Sequence, residues 1–118
     1  MHKKILIADD DKTITKLISS SLEEAGYTTV IAHDGEEALR KFQYELPDLV
    51  LLDVVMPKMN GYSFLFEMKQ LEQGAQTPVI VLTCKEDMED IFKVEGVKEY
   101  IVKPFANKDL LEMIRKYI

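Results

Sequence analysis

The chain has 118 residues, of which 47% are apolar, and its 15 basic and 21 acidic side chains leave a net charge of -6. This length suits one domain with one hydrophobic core, and the apolar fraction is too high for a disordered chain. The acidic charge and the scattered lysines argue against direct nucleic-acid binding and against anionic membranes. We expect a single domain over residues 1–118, with no effector domain.

Three further features concern the compartment of the protein. Apolar runs such as 49–52 and 79–82 are far too short to span a bilayer, so we expect no membrane insertion. The N-terminal residues have no long apolar stretch behind them and do not form a signal peptide. Cys84 is the only cysteine, which excludes an intrachain disulfide and fits a reducing compartment. The sequence therefore predicts a cytoplasmic protein.

The first predicted strand is the apolar block 5–8, which three aspartates, Asp9, Asp10 and Asp11, follow directly. Asp is favoured at helix N-caps, and Asp11 is the candidate for capping helix 1. Capping does not explain all three acids, which repel one another unless a cation compensates. The inner face of helix 1 is predicted to carry Ile14, Leu17, Ile18, Leu22 and Ala25, and Gly26 is predicted to end the helix.

The second predicted unit consists of a strand at 28–32 and a helix that follows it. Asp34 and Glu37 have the spacing of a capping box, in which Asp34 is the N-cap. The core-facing side of helix 2 is predicted to carry Ala38, Leu39 and Phe42.

Three further strand–helix pairs follow, with predicted strands at 49–52, 79–82 and 100–102. Helix 3 is predicted to present Leu65 and Met68 to the core, together with Leu71 or Phe64. Helix 4 is predicted to be short, to carry Met88, Ile91 and Phe92, and to end near Gly96. Asn107 is the candidate cap of helix 5, whose inner side chains are Leu110, Leu111, Ile114 and Ile118.

This alternation predicts an α/β fold, a flavodoxin-like (βα)5 domain with a doubly wound, parallel, five-stranded sheet in the order 2-1-3-4-5. Continuous apolar strands agree with it, because helices then cover both faces of the sheet. In such sheets ligands bind beyond the carboxyl ends of the strands, at the switch between strands 1 and 3. The last residues of the strands are therefore the candidates for a functional site.

The strand ends carry a chemically specific set of side chains: Asp9 and Asp10 on strand 1, Asp53 on strand 3, Thr83 on strand 4 and Lys103 on strand 5. Neighbouring strands lie about 4.8 Å apart, so acids of strands 1 and 3 can share a hard cation such as Mg²⁺. The hydroxyl and the ammonium face the same point. Phosphoryl transfer to a carboxylate requires such a set, with an Asp nucleophile, cations to neutralise the transferred oxygens and a hydroxyl donor.

The segments ILIADDDK, DLVLLDVVMPKMNGYSFL, PVIVLTCK and EYIVKPF closely resemble response-regulator receiver domains of two-component signalling, over essentially the whole chain. The resemblance implies a phosphorylation-dependent signalling switch in which Asp53 accepts a phosphoryl group from a histidine kinase or a histidine phosphotransfer protein. It also implies Mg²⁺ bound directly by Asp10, Asp53 and the backbone carbonyl of Val55, with Asp9 acting mostly through water.

The same resemblance implies how the switch works. Thr83 and Lys103 would contact the phosphoryl oxygens, and Tyr100 would turn inward when Thr83 moves, which changes the partner-binding face. Lys103–Pro104 would be a cis peptide. The chain would assist its own phosphorylation and dephosphorylation instead of acting as an enzyme on other substrates, and its downstream output protein is not indicated.

Three features depart from the family pattern. Cys84 stands where the family usually has a smaller Ala or Gly, and we predict that it is packed and inert. The segment between Thr83 and Lys103 is short, which predicts a shortened helix 4. The sequence stops at helix 5, so the chain is either a stand-alone receiver or a piece of a larger protein.

Two alternative functions stay open. One is a pseudo-receiver, an interaction module whose switch no longer works. The other is a haloacid-dehalogenase-like phosphatase, because residues 9–13 fit its DxDxT motif, with Asp9 as nucleophile and Asp11 as acid–base. The chain is short for that fold, and no later acidic pair supplies its remaining metal ligands.

Overall fold

The structure, a computed structural model, describes residues 2–118 as five successive β–α units. The elements are β1 (Lys4–Ala8), α1 (Lys12–Glu24), β2 (Thr28–Ala32), α2 (Gly35–Glu45), β3 (Leu49–Leu52), α3 (Gly61–Gln70), β4 (Val79–Thr83), α4 (Glu89–Val94), β5 (Glu99–Val102) and α5 (Asn107–Tyr117). All strands are parallel and lie in the order β2-β1-β3-β4-β5, which confirms the predicted topology. Within residues 2–118, no helix has the length and apolarity needed to cross a bilayer.

The two faces of the sheet carry separate apolar clusters, because successive side chains of a strand point to opposite faces. The face covered by α2, α3 and α4 contains Leu6, Ala8, Val50, Leu52, Val79 and Val81 with Phe42, Phe64, Met68 and Phe92. The face covered by α1 and α5 contains Ile5, Ile7, Leu49, Leu51, Ile80 and Leu82 with Ile18, Leu22, Leu110 and Ile114. The central strands are therefore buried on both sides, which explains their continuous apolar sequences.

The predicted caps of the first two helices are present. The Asp11 carboxylate accepts hydrogen bonds from the backbone N–H groups of Thr13 and Ile14, both at 3.0 Å. Asp34 accepts from the Glu37 N–H at 2.7 Å, so it is the N-cap of α2. The Glu37 carboxylate, however, accepts from the N–H of residue 33, one residue before the cap.

Three local predictions are wrong. Leu17 is 65% exposed and Ala25 is exposed, because the i, i+4 spacing of Ile14, Ile18 and Leu22 defines the buried face of α1. Ile91 on α4 is 47% exposed, whereas Phe92 fills the core. Asn107 does not cap α5, because the extended cap residue is Ala106 and the helix begins at Asn107 itself.

The prediction of a shortened helix 4 is confirmed. The helix α4 has 6 residues, and Gly96 follows it with a φ of 93°, a left-handed conformation that favours glycine. On α3, Phe64 and not Leu71 completes the buried face, since Leu71 lies beyond the last helical residue.

Candidate functional site

Three carboxylates meet at the carboxyl edge of the sheet, where β1 and β3 are neighbours. Asp9 and Asp10 follow β1, Asp53 follows β3, and one oxygen of each lies within 4.8 Å of the others. The Asp53 N–H donates to the Ala8 carbonyl at 2.9 Å, which holds the end of β3 beside β1. Asp9 and Asp53 are buried, whereas Asp10 is exposed, so the cluster is accessible from the Asp10 side.

The ammonium of Lys103 reaches this cluster from the end of β5. Its Nζ donates to Asp9 Oδ2 at 2.6 Å and to Asp53 Oδ2 at 3.4 Å. Burial acts to lower the pKa of Lys103, but the hydrogen bond to Asp9 and the charge of Asp53 outweigh it and raise this pKa. Burial raises the pKa of Asp9, against the opposing hydrogen bond from Lys103. Lys103 is therefore held in its charged form between two carboxylates.

The donor set of the cluster suits a hard divalent cation. The three carboxylates and the one ammonium leave two negative charges uncompensated, and a divalent cation would balance them. Carboxylate oxygens at this spacing are typical ligands of Mg²⁺. Val55 lies at the rim of the cluster, where its N–H donates to Asp53 Oδ1 at 3.2 Å.

Thr83 ends β4 and is fully buried, with its Oγ1 accepting a hydrogen bond from the Lys85 N–H at 3.3 Å. The next residue, Cys84, is exposed, so the prediction of a packed cysteine is wrong. The reason is that Cys84 lies in the bend after the last residue of β4, beyond the layers that bury both faces of the strand. Cys84 instead lines a groove that it shares with Leu17, Phe105 and five other residues.

Tyr100 lies on β5, with its ring half-buried against Phe92 at a centroid separation of 6.1 Å. Its hydroxyl donates to the backbone carbonyl of Lys85, in the loop that follows Thr83. Burial raises the pKa of Tyr100, and the charge of Asp87 adds to this effect. Tyr100 is therefore linked to the loop that begins at Thr83.

The structure brings four of the predicted site residues together in one cluster of charged side chains: Asp9, Asp10, Asp53 and Lys103. Thr83 ends the strand next to β3, and the peptide bond between Lys103 and Pro104 is cis, as the resemblance implied. Asp11 is outside the carboxylate trio, since its side chain caps α1.

The sequence reasoning missed His33, which follows β2. Its Nδ1 lies 3.1 Å from the carbonyl oxygen of Asp9, within hydrogen-bonding distance. The sheet order contained the signal that could have found it. Because β2 is the neighbour of β1, the residue after β2 lies beside the residue after β1.

The chain belongs to the response regulator receiver domain family, which matches residues 5–115. It is 43% identical over 114 residues to the transcriptional regulatory protein CpxR of Escherichia coli (strain K12), a match that covers 95% of this chain and 47% of that protein. The chain spans about half the length of the curated relatives it matches. The predicted fold and family are thereby confirmed, and the domain is of the kind found in two-component response regulators.

Solved structures agree with this assignment. The chemotaxis protein CheY4 of Vibrio cholerae is similar with a TM-score of 0.92 and 33% identity, over 100% of both chains. The receiver domain of the sensor histidine kinase PA1611 of Pseudomonas aeruginosa is similar with a TM-score of 0.91 and 26% identity, over 99% of this chain and 98% of that one. That structure has a magnesium ion coordinated in its active-site cleft.

Proposed function

We propose that the chain is a phosphorylation-dependent switch of a two-component system, in which Asp53 accepts a phosphoryl group from a histidine kinase or a histidine phosphotransfer protein. The observation that carries the proposal is the position of Lys103, whose ammonium lies 2.6 Å from Asp9 and 3.4 Å from Asp53. A nucleophilic carboxylate next to a fixed cation is suited to phosphoryl transfer, since that reaction depends on positioning and charge neutralisation.

In the transfer step, an oxygen of Asp53 attacks the phosphorus of phosphohistidine in line with the N–P bond. The O–P bond forms as the N–P bond breaks, and the departing imidazole nitrogen keeps the electron pair and takes a proton from solvent. Lys103 and the Thr83 hydroxyl donate to the phosphoryl oxygens. Mg²⁺, which Asp10, Asp53 and the Val55 carbonyl would hold directly and Asp9 mostly through water, would supply further charge neutralisation.

The reverse change is hydrolysis, in which water attacks the phosphorus, releases phosphate and restores the Asp53 carboxylate. The chain therefore assists its own phosphorylation and dephosphorylation and is not an enzyme for other substrates. We place this cycle in the cytoplasm, where a free thiol such as Cys84 stays reduced.

The readout of phosphorylation runs through Lys85. Thr83 accepts a hydrogen bond from the N–H of Lys85, and Tyr100 donates one to its carbonyl. When the Thr83 hydroxyl turns to a phosphoryl oxygen, the Lys85 N–H loses its acceptor and the loop at Lys85 is released. The Lys85 carbonyl, which accepts from the Tyr100 hydroxyl, then moves with this loop. The surface at β5 that an output protein would bind then changes its shape. The net charge of -6 argues that this partner is a protein and not a nucleic acid.

The decisive experiment treats the chain with acetyl phosphate and Mg²⁺ and maps the modified residue by mass spectrometry. We expect one added phosphoryl group on Asp53, none on Asp53→Asn, and unchanged labelling of Asp11→Asn, whose carboxylate serves only as a helix cap. Labelling that persists in Asp53→Asn but disappears in Asp9→Asn would favour the phosphatase-like alternative. An unlabelled wild type would favour the pseudo-receiver.

A further inference from the structure

The loop of residues 33–35, which links β2 to α2 and ends at the first residue of α2, contacts both loops that carry the acidic cluster. Toward the β1–α1 loop, the His33 ring bonds to the Asp9 carbonyl at 3.1 Å. Toward the β3–α3 loop, the Gly35 N–H donates to the Pro57 carbonyl at 3.4 Å. The Asp34 carboxylate also lies 3.8 Å from the Lys58 ammonium. This short loop therefore ties the Asp9–Asp10 pair to the loop that follows Asp53.

His33 is held from two sides. A carbonyl oxygen only accepts, so Nδ1 carries the hydrogen in its bond to Asp9. The His33 N–H donates to Glu37 Oε1 at 2.6 Å, and the other oxygen of Glu37 pairs with Lys41 at 3.2 Å. The hydrogen bond from the His33 backbone lowers the pKa of Glu37, which keeps this anchor ionised at neutral pH. The imidazole is thus fixed against the main chain of a candidate ligand.

Gly35 is required by close packing. A Cβ on residue 35 would lie 1.8 Å from the carbonyl oxygen of Met59, far inside any allowed contact. At the other end of the same β3–α3 loop, a Cβ on Gly61 would lie 2.3 Å from the Asp53 carbonyl oxygen. The loop is therefore packed against two glycines, and a side chain at residue 35 would have to displace it.

We infer that the loop of residues 33–35 is a positioning element, in which His33 and Gly35 set the placement of the Asp9–Asp10 pair relative to Asp53 and so tune the affinity for Mg²⁺. The inference rests on the proposed Mg²⁺ site, and neither residue is a ligand. Mg²⁺ demands nearly ideal octahedral geometry, so small ligand displacements weaken it. Loss of an outer-shell contact typically lowers metal affinity by about 10–100-fold.

The test for His33 is an Mg²⁺ titration of the full chain without phosphate donor, with Kd taken from the NMR shifts of the Asp10 and Asp53 amides. His33→Phe keeps a ring but removes the donor, and we expect Kd to rise about tenfold. His33→Asn places an amide N–H near the position of Nδ1, and we expect Kd within about twofold of the wild type. A general packing role would not distinguish these two variants in this way.

The test for Gly35 uses a second glycine as a matched control. A Cβ on Gly74, in the loop between α3 and β4, would lie 2.0 Å from the Met68 carbonyl oxygen, a comparable clash away from the cluster. We expect both Gly35→Ala and Gly74→Ala to unfold at lower urea concentration, but only Gly35→Ala to raise Kd, by about tenfold. If Gly35→Ala does not fold, His33→Phe decides alone.

Two results would overturn the inference: unchanged Kd values in His33→Phe and Gly35→Ala, or an equal rise in Gly74→Ala. Failure of the proposed metal site has a different signature, because the wild type itself would then show no Mg²⁺-dependent NMR shifts. That result would overturn the metal site and, with it, this inference.

Discussion

Val55 and Lys85 are tied through their backbone N–H groups to Asp53 and Thr83, and we expect their side chains to affect how long a phosphoryl group survives. Val55 is 54% exposed, two residues after Asp53, and Lys85 is exposed, two residues after Thr83. Hydrolysis needs a water in line with the O–P bond, and orienting that water calls for a hydrogen-bonding neighbour. Val55 cannot provide a side-chain hydrogen bond, and we expect its branched side chain to cover part of the approach of the water. We therefore expect slow hydrolysis.

This expectation is tested by the decay rate of the acyl phosphate after removal of the phosphate donor. The double variant Val55→Asn with Lys85→Glu should lose its phosphoryl group faster than the wild type, because it gains a hydrogen-bonding group and loses a shielding cation. The two single variants identify which side chain lies in the path of the water. Identical decay in the double variant and the wild type would show that neither gates the reaction.

At the scale of elements, α1 offers a matched pair of neighbouring apolar residues. Ile18 is 3% exposed within the cluster between the sheet and α5, whereas Leu17 is 65% exposed. Ile18→Ala should lower the free energy of unfolding by about 2–5 kcal/mol, since it opens a cavity. Leu17→Ala should change it by less than about 0.5 kcal/mol. Urea unfolding of both variants measures the difference, and equal losses would contradict the orientation of α1.

At the scale of the whole molecule, the sheet gathers an excess of negative charge at one edge, since three carboxylates and only one ammonium meet at the ends of β1, β3 and β5. Without a divalent cation the carboxylates repel one another, and this repulsion lowers the stability of the fold. A ligand that binds only the native state raises its stability, by about 2.7 kcal/mol at a concentration of 100 times Kd. Mg²⁺ should therefore raise the melting temperature.

Asp10→Asn should abolish this Mg²⁺-dependent rise, because it removes the exposed carboxylate of the cluster. The same variant should melt slightly higher than the wild type in EDTA, since one repelling charge is gone. Asp11→Asn is the control, because its carboxylate caps α1 and should leave the response to Mg²⁺ intact. Melting curves with and without Mg²⁺ measure both effects. An unchanged response in Asp10→Asn would remove this residue from the site.

The sequence by itself determined the strands, their order and the caps of the first two helices. The strands and the caps depend on short-range patterns, namely continuous apolar runs and an acid at the start of a helix. The strand order follows from the general rules for a chain of five β–α units. Once the order was known, the rule for strand ends predicted that Asp9, Asp10, Asp53 and Lys103 would converge, and the structure places them together. Their roles in phosphoryl transfer stay predictions.

Tertiary structure alone decided the orientation of several side chains and the contacts between loops. Leu17 fits an apolar helical pattern, yet it is exposed because the face of α1 that carries Ile14, Ile18 and Leu22 is the one that packs into the core. Cys84 is exposed because it lies beyond the end of β4, whereas Thr83 is the last residue of the buried strand. The contacts of His33 and Gly35 join three loops that are distant in sequence. The physical reason is common to all of them: exposure and loop contacts depend on which groups pack across from a residue, and only the assembled layers supply those groups.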